Sequence, residues 1–252
     1  MKKLKIIIPL CFFFFLIAFS NDAYAESVKP VVFFYVPHQD DELLTMGHAI
    51  AHYVNSDYEV HVVLLTDGSS SNAIHNVNRE LEKYYIQSLS RKEFSYARNL
   101  EFVRALSTLG VERENMYLSY LKDGATDVKS IKELVLQYVS RYPDAEHFAM
   151  SYTDDHVDHR NSGQALLELY NQGVIKRPKL YIQNVERSLY KGENEPNVDH
   201  YYPILKEASK PYLDWYPLWR MYSIGKISVK GHFDVFLDNP TSKYHWPEDY
   251  SR

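Results

Sequence analysis

Two short stretches of this 252-residue chain gather side chains that can hold a metal ion and move protons. The first is Pro37-His38-Gln39-Asp40-Asp41-Glu42, and the second is Thr153-Asp154-Asp155-His156-Val157-Asp158-His159. Carboxylates crowded into one turn repel each other unless a positive charge lies among them, and a divalent ion is the simplest such charge. The only cysteine, Cys11, falls in the N-terminal leader described below, so any ion in the mature chain must sit on His, Asp and Glu. His38, Asp41 and His159 together offer two imidazoles and one carboxylate, which leaves coordination positions open. Structural sites close with four protein ligands, whereas catalytic sites keep room for water. An ion bound in this way lowers the pKa of its water and polarises a carbonyl. The donor set suits iron(II) as well as zinc.

Both stretches stand where a strand ends and a helix begins. The apolar run VVFFYV at 31–36 reads as a buried strand, stopped by Pro37, and Leu43, Leu44, Met46 and Ile50 then recur at helical spacing. Further strands are expected at 60–65, 116–121, 147–152 and 180–185. Helices are expected near 79–85, at 91–109 with Gly110 as C-cap, at 130–142, and from 159 or 160 to about 171. This alternation predicts an α/β fold, a Rossmann-like three-layer α/β/α arrangement on a mostly parallel sheet. Right-handed crossovers deliver the loops after 36, 65, 121 and 152 to one edge, so the metal site lies at the carboxyl ends of the strands. Beyond about 188 the rhythm changes: 191–200 is polar, 211–222 is rich in Trp and Tyr, and 225–237 alternates like one or two strands.

The two motifs resemble those of the zinc-dependent N-acetylglucosaminyl deacetylases of the LmbE-like, or GlcNAc-phosphatidylinositol deacetylase (PIG-L), family. That pattern is Pro/Ala-His-Pro-Asp-Asp-Glu after the first strand and His-Pro-Asp-His after a later one; here Gln39 and Val157 replace the prolines. Thr66-Asp67-Gly68 resembles the family's Thr-x-Gly loop. Arg98-x-x-Glu101, followed by Leu109-Gly110, resembles its Arg-x-x-Glu helix. The resemblance runs from about 31 to 173. It implies zinc on His38, Asp41 and His159, with Asp40 as the general base. It implies that His156, when protonated, stabilises the oxyanion, and that Asp158 orients an imidazole. It also implies that Arg98, Asp67, Gly68 and Asp123 contact or shape the place of a sugar. On residue type alone, Asp40, Asp41 and Glu42 would also suit the N-terminus of a helix, and Arg98 would pair with Glu101 on a solvated face. His48 reads as packed or surface, and His75, His147, His200, His232 and His245 as solvent-exposed. The substitution at Gln39 is expected to loosen its loop.

The ends bound the setting. Lys2, Lys3 and Lys5, the apolar run 6–19 and Ala23-Tyr24-Ala25 have the layout of a secretory signal peptide cleaved after Ala25, and the apolar run is short for a membrane span. The expectation is an exported protein, extracellular or in the cell envelope, with 26–252 as a single domain whose part from about 190 is divergent. Loss of Lys2, Lys3, Lys5 and Asp22 takes the formal charge from −5 to −7. Such a balance disfavours nucleic acid or an anionic membrane as partner. The expected partner is a carbohydrate or glycoconjugate, and the oligomeric state is left open. The expected reaction is removal of an N-acetyl group from a GlcNAc-type sugar. The open alternatives are an amidase or esterase acting on another acyl group, and a glycan-binding protein without catalysis.

Overall fold

A computed structural model describes residues 29–249; the leader lies outside the described residues. The sheet grows from β1 (Val31–Val36), which is buried from its second residue onward. Alternate side chains serve opposite faces, as the two-residue period of a strand requires. Val32, Phe34 and Val36 enter one core with α2 (Gly47–Asn55), α4 (Arg91–Leu109) and α7 (Val198–Leu213). Phe33 and Tyr35 enter the other with α5 (Val128–Val139) and α6 (Val157–Asn171). A strand covered on both faces reads as a continuous apolar run, which explains VVFFYV. Each Phe or Val so buried contributes about 1.5–3 kcal/mol.

The seven-stranded sheet has the order β3-β2-β1-β4-β5-β9-β6. Here β2 is Glu59–Thr66, β3 Met116–Leu121, β4 Glu146–Met150, β5 Leu180–Ile182, β6 Glu193–Asn194 and β9 Lys243–His245. The first five strands run parallel, and β9 pairs antiparallel with both β5 and β6. The strand order reverses between β1 and β4. The loops after these two strands therefore diverge at a switch point, the place where open α/β sheets bind ligands. Helices on both faces complete the expected three-layer α/β architecture.

The predicted helices and parallel strands form with shifted ends. The first helical stretch divides into α1 (Asp41–Leu44) and α2, and the short helix near 79–85 lies earlier, as α3 (Ala73–Lys83). The helix at 91–109 falls at its predicted bounds, with a Ser90–Glu93 capping box and Gly110 left-handed at φ 91°.

One expected element is overturned. Residues 225–237 form no strand; they belong to α8 (Ile224–Asp238), bent at Val229. Its Ile224 and Gly225 N–H groups donate to the Glu101 carboxylate. Phe233 and Phe236 face the core at helical spacing. The place beside β5 is taken by β9 instead, with β6 at the edge, so tertiary packing overrides the alternating pattern. The Trp/Tyr-rich stretch closes α7 and makes a small hairpin of β7 (Trp215–Tyr216) and β8 (Met221–Tyr222).

Candidate metal centre and active-site cavity

The turn after β1 brings His38, Asp40 and Asp41 to the sheet's carboxyl edge, and the first turn of α6 brings His159 against them. Gly163 permits that approach: a Cβ there would lie 2.4 Å from Met150 O and 2.5 Å from Tyr152 N at the end of β4. Three donor atoms then converge. His38 Nδ1 lies 3.2 Å from His159 Nε2, and Asp41 Oδ2 lies 3.3 Å from His38 Nδ1 and 3.1 Å from His159 Nε2. Tetrahedral ligands on bonds of about 2.0–2.1 Å stand about 3.4 Å apart, so the triangle has the dimensions of a three-ligand site around one ion.

The outer nitrogens assign the tautomers. His38 Nε2 lies 3.0 Å from Asp158 Oδ2, and His159 Nδ1 lies 2.9 Å from Asp154 Oδ2. Each ring thus donates outward to a carboxylate and turns its lone pair into the triangle, the usual support for a metal-bound imidazole. Asp158 also accepts from Thr126 N–H, Thr126 Oγ1 and Gly124 N–H, so its oxygens are saturated. Asp154 further accepts the His156 N–H at 2.7 Å. Sequence reasoning missed Asp154; the available signal was a carboxylate at a strand end, five residues before His159.

The charges show what the triangle attracts. Burial alone would lower the His159 pKa, but Asp41 and Asp154 raise it to about 10. Burial opposes ionisation of Asp41, yet His159 and His38 hold its carboxyl well below the usual range. The carboxylates facing these imidazoles favour positive charge in the triangle, at the position a divalent cation would fill. His156 offers another combination, since its ligand atom lies within 4.8 Å of those of His38 and His159. However, its Nδ1 accepts the Asp158 N–H at 3.3 Å as the N-cap of α6. The set with Asp41 is the tighter and more anionic one.

The oxyanion role expected of His156 is tied to its protonated form. Burial, His38 and His159 lower its pKa. With Nδ1 accepting, the neutral ring carries its hydrogen on Nε2, so a donor remains without a charge. Asp40 is the N-cap of α1, at φ 103° and with no side-chain cap bond. Left-handed backbone at a non-glycine residue costs about 1–3 kcal/mol and persists only where the surroundings enforce it. The Asp40 carboxylate makes no helix-capping bond and lines the cavity beside Arg98. Burial raises its pKa to about 7, opposed by Arg98, whose Nη2 lies 3.6 Å away.

Arg98 makes no pair with Glu101 and no solvated face. It is 6 % exposed and donates to Gln39 O at 2.8 Å and Gly68 O at 3.2 Å. Gln39 is fully buried and donates to Asp67 O and Asn99 Oδ1, so it ties the turn down rather than loosening it. Gly68, at φ 62°, would place a Cβ 2.3 Å from both Arg98 Nη1 and Gln39 Oε1. Asp67 accepts from Ser69 N–H, and Asp123 from Ser70 N–H.

A cavity of about 540 Å³ opens over the triangle. Arg98 and Asp123 line it with His38, Asp40, Asp41, His156 and His159, whereas Asp67 and Gly68 stand behind it. The C-terminal part adds a wall of Gln183, Glu186, Ser228 and His232. His232 therefore faces the cavity, against its expected exposure. His147 bonds Tyr35 and His245 bonds Ser151, both in the interior. His48 is packed as expected, 2.9 Å from Pro196 O, and His75 and His200 are exposed. Trp219 and Tyr216 are exposed and Tyr222 is buried, and none of them reaches the cavity.

The family model of PIG-L, described as GlcNAc-PI de-N-acetylase, matches residues 33–170, more than half of the chain. The chain belongs to this family. Solved structures agree on the fold. A deacetylase of the teicoplanin biosynthetic pathway, solved as a triple mutant, is 15% identical at TM-score 0.62, covering 86% of this chain and 97% of its own. The N,N'-diacetylchitobiose deacetylase from Pyrococcus horikoshii is 18% identical at TM-score 0.55, covering 80% and 79%. The 4-carboxy-2-hydroxymuconate hydratase from Pseudomonas putida KT2440 is 16% identical at TM-score 0.58, covering 88% and 97%. No curated protein sequence matches. Among the described residues no helix is long and apolar enough to cross a membrane.

Proposed function

We propose that this PIG-L family member is an exported, metal-dependent hydrolase that removes the N-acetyl group from a GlcNAc-type sugar or glycoconjugate. The triangle of His38 Nδ1, Asp41 Oδ2 and His159 Nε2 beneath a polar cavity carries this reading. The leader supports export, and two imidazoles with a carboxylate support zinc, with iron(II) as the other fitting ion. An ion held there supplies Lewis acidity to water and to the amide carbonyl.

The chain's own groups handle the protons. Asp40 takes the proton of the attacking water and returns it to the departing nitrogen. The water oxygen bonds to the acyl carbon, the C–N bond breaks, and acetate and a free amine result. His156 donates its Nε2–H where negative charge develops on the carbonyl oxygen. Asp154 and Asp158 hold the two imidazoles in the tautomers described above. Asp123 shapes the sugar end of the cavity, with Asp67 and Gly68 behind it.

The P. putida neighbour carries hydration on the same fold, which supports water addition to a double bond as a second reading. Mass spectrometry of products from N-acetylated glycans, longer N-acyl conjugates, esters and unsaturated acids separates them. Loss of an acetyl group from the glycans supports deacetylation, whereas loss from none of them with turnover of another class overturns it.

A further inference from the structure

Asp40 is the one residue of the site whose backbone is left-handed without being glycine, and the peptide group preceding it is gripped at both polar atoms. Gln39 O accepts from Arg98 Nη2 at 2.8 Å, and Asp40 N–H donates to Glu42 Oε2 at 2.9 Å. Glu42 is fully buried, and its other oxygen accepts from the Tyr212 hydroxyl at 2.5 Å. Tyr212 is 1 % exposed and lies near the end of α7, outside the residues matched by the family model. The torsion φ of Asp40 is rotation about its N–Cα bond, so the orientation of the peptide plane sets it. Holding both ends of that plane holds φ, and with it the direction of the Asp40 side chain.

We propose that Tyr212, acting through Glu42, is a positioning residue for Asp40. The hydroxyl fixes the Glu42 carboxylate, Glu42 fixes the Asp40 N–H, and Arg98 fixes the opposite carbonyl. The divergent C-terminal part of the chain thereby reaches the proton-transferring group without touching substrate. The inference rests on the reading of Asp40 as general base.

The test is a comparison of Tyr212→Phe, Glu42→Ala and Glu42→Gln with the wild-type protein. Tyr212→Phe and Glu42→Ala are expected to lower kcat for acetate release on the order of 10–100-fold, with KM and bound metal unchanged. Glu42→Gln keeps an acceptor for Asp40 N–H and an amide donor for the Tyr212 oxygen, so it is expected to retain most of the wild-type kcat. A crystal structure of Tyr212→Phe is expected to show Asp40 relaxed from its positive φ. Wild-type kcat in Tyr212→Phe, or a Glu42→Gln defect equal to that of Glu42→Ala, overturns the inference. An unaltered Asp40 backbone in the Tyr212→Phe crystal overturns it too, and that readout holds even if wild-type protein releases no acetate.

Discussion

Asp154 Oδ2 lies 2.9 Å from His159 Nδ1, which turns the imidazole so that its Nε2 meets Asp41 and His38. Asp154 touches no other member of the triangle, so its effect passes through the ring it orients. Replacement by Asn removes the anionic acceptor while keeping the shape. Affinity for zinc in Asp154→Asn is expected to fall about 10–100-fold, as for other orienting carboxylates. Competition with a coloured chelator measures it, and unchanged affinity would separate Asp154 from the site.

His156 tests whether the ion sits on Asp41 or on a third imidazole. As a donor outside the ligand set, it should be removable without loss of metal. His156→Ala is expected to lower kcat about 10²–10³-fold while the bound ion stays stoichiometric by elemental analysis. Loss of the ion together with activity would place His156 among the ligands.

Gly68 gives the support loop its shape. Ala at this position meets a positive φ and two side-chain atoms at 2.3 Å, Arg98 Nη1 and Gln39 Oε1. The expected cost of Gly68→Ala is about 1–3 kcal/mol, a fall in thermal midpoint of roughly 5 °C. Calorimetry of the two proteins decides it. An unshifted midpoint would mean that the loop tolerates a left-handed Ala and that Arg98 moves freely.

His147 gives the fold a pH dependence distant from the metal centre. Burial, helped by Lys176, lowers its pKa to about 4 from the ordinary 6.5. The folded chain therefore binds fewer protons than the unfolded chain between these values. This contribution to stability is fully present above pH 6.5 and is lost as pH falls towards 4, about 3 kcal/mol in all. Urea midpoints at pH 7 and pH 5 should show the loss in the wild-type protein and a smaller one in His147→Gln. Equal slopes in both proteins would contradict the assignment.

The parallel core and the site's two loops were legible because their signals are local. VVFFYV cannot be half exposed, and an imidazole among carboxylates at a strand end has few structural uses. What was illegible depends on partners distant in the chain. Nothing near Tyr212 points to Glu42, 170 residues earlier in the chain. Glu101 read as the ion-pair partner of Arg98, three residues before it, but it caps α8 across the molecule. The same cap explains why 225–237 is helical against its alternating pattern. Gln39 shows the limit in another way. The family's proline stiffens a turn through its ring, whereas here a buried amide does so through Asp67 and Asn99, contacts that only the fold brings together.

The His38–Asp41–His159 triangle and Asp40 are proposed to act together in hydrolysing an N-acetyl amide. The most direct measurement is acetate release from N-acetylchitooligosaccharides and GlcNAc conjugates, comparing zinc-loaded wild-type protein, chelator-stripped protein and zinc-loaded Asp40→Asn. Release is expected from the first alone, with a full complement of metal retained in Asp40→Asn. Equal release from the stripped protein or from Asp40→Asn, or no release from any substrate by the loaded wild type, would contradict it.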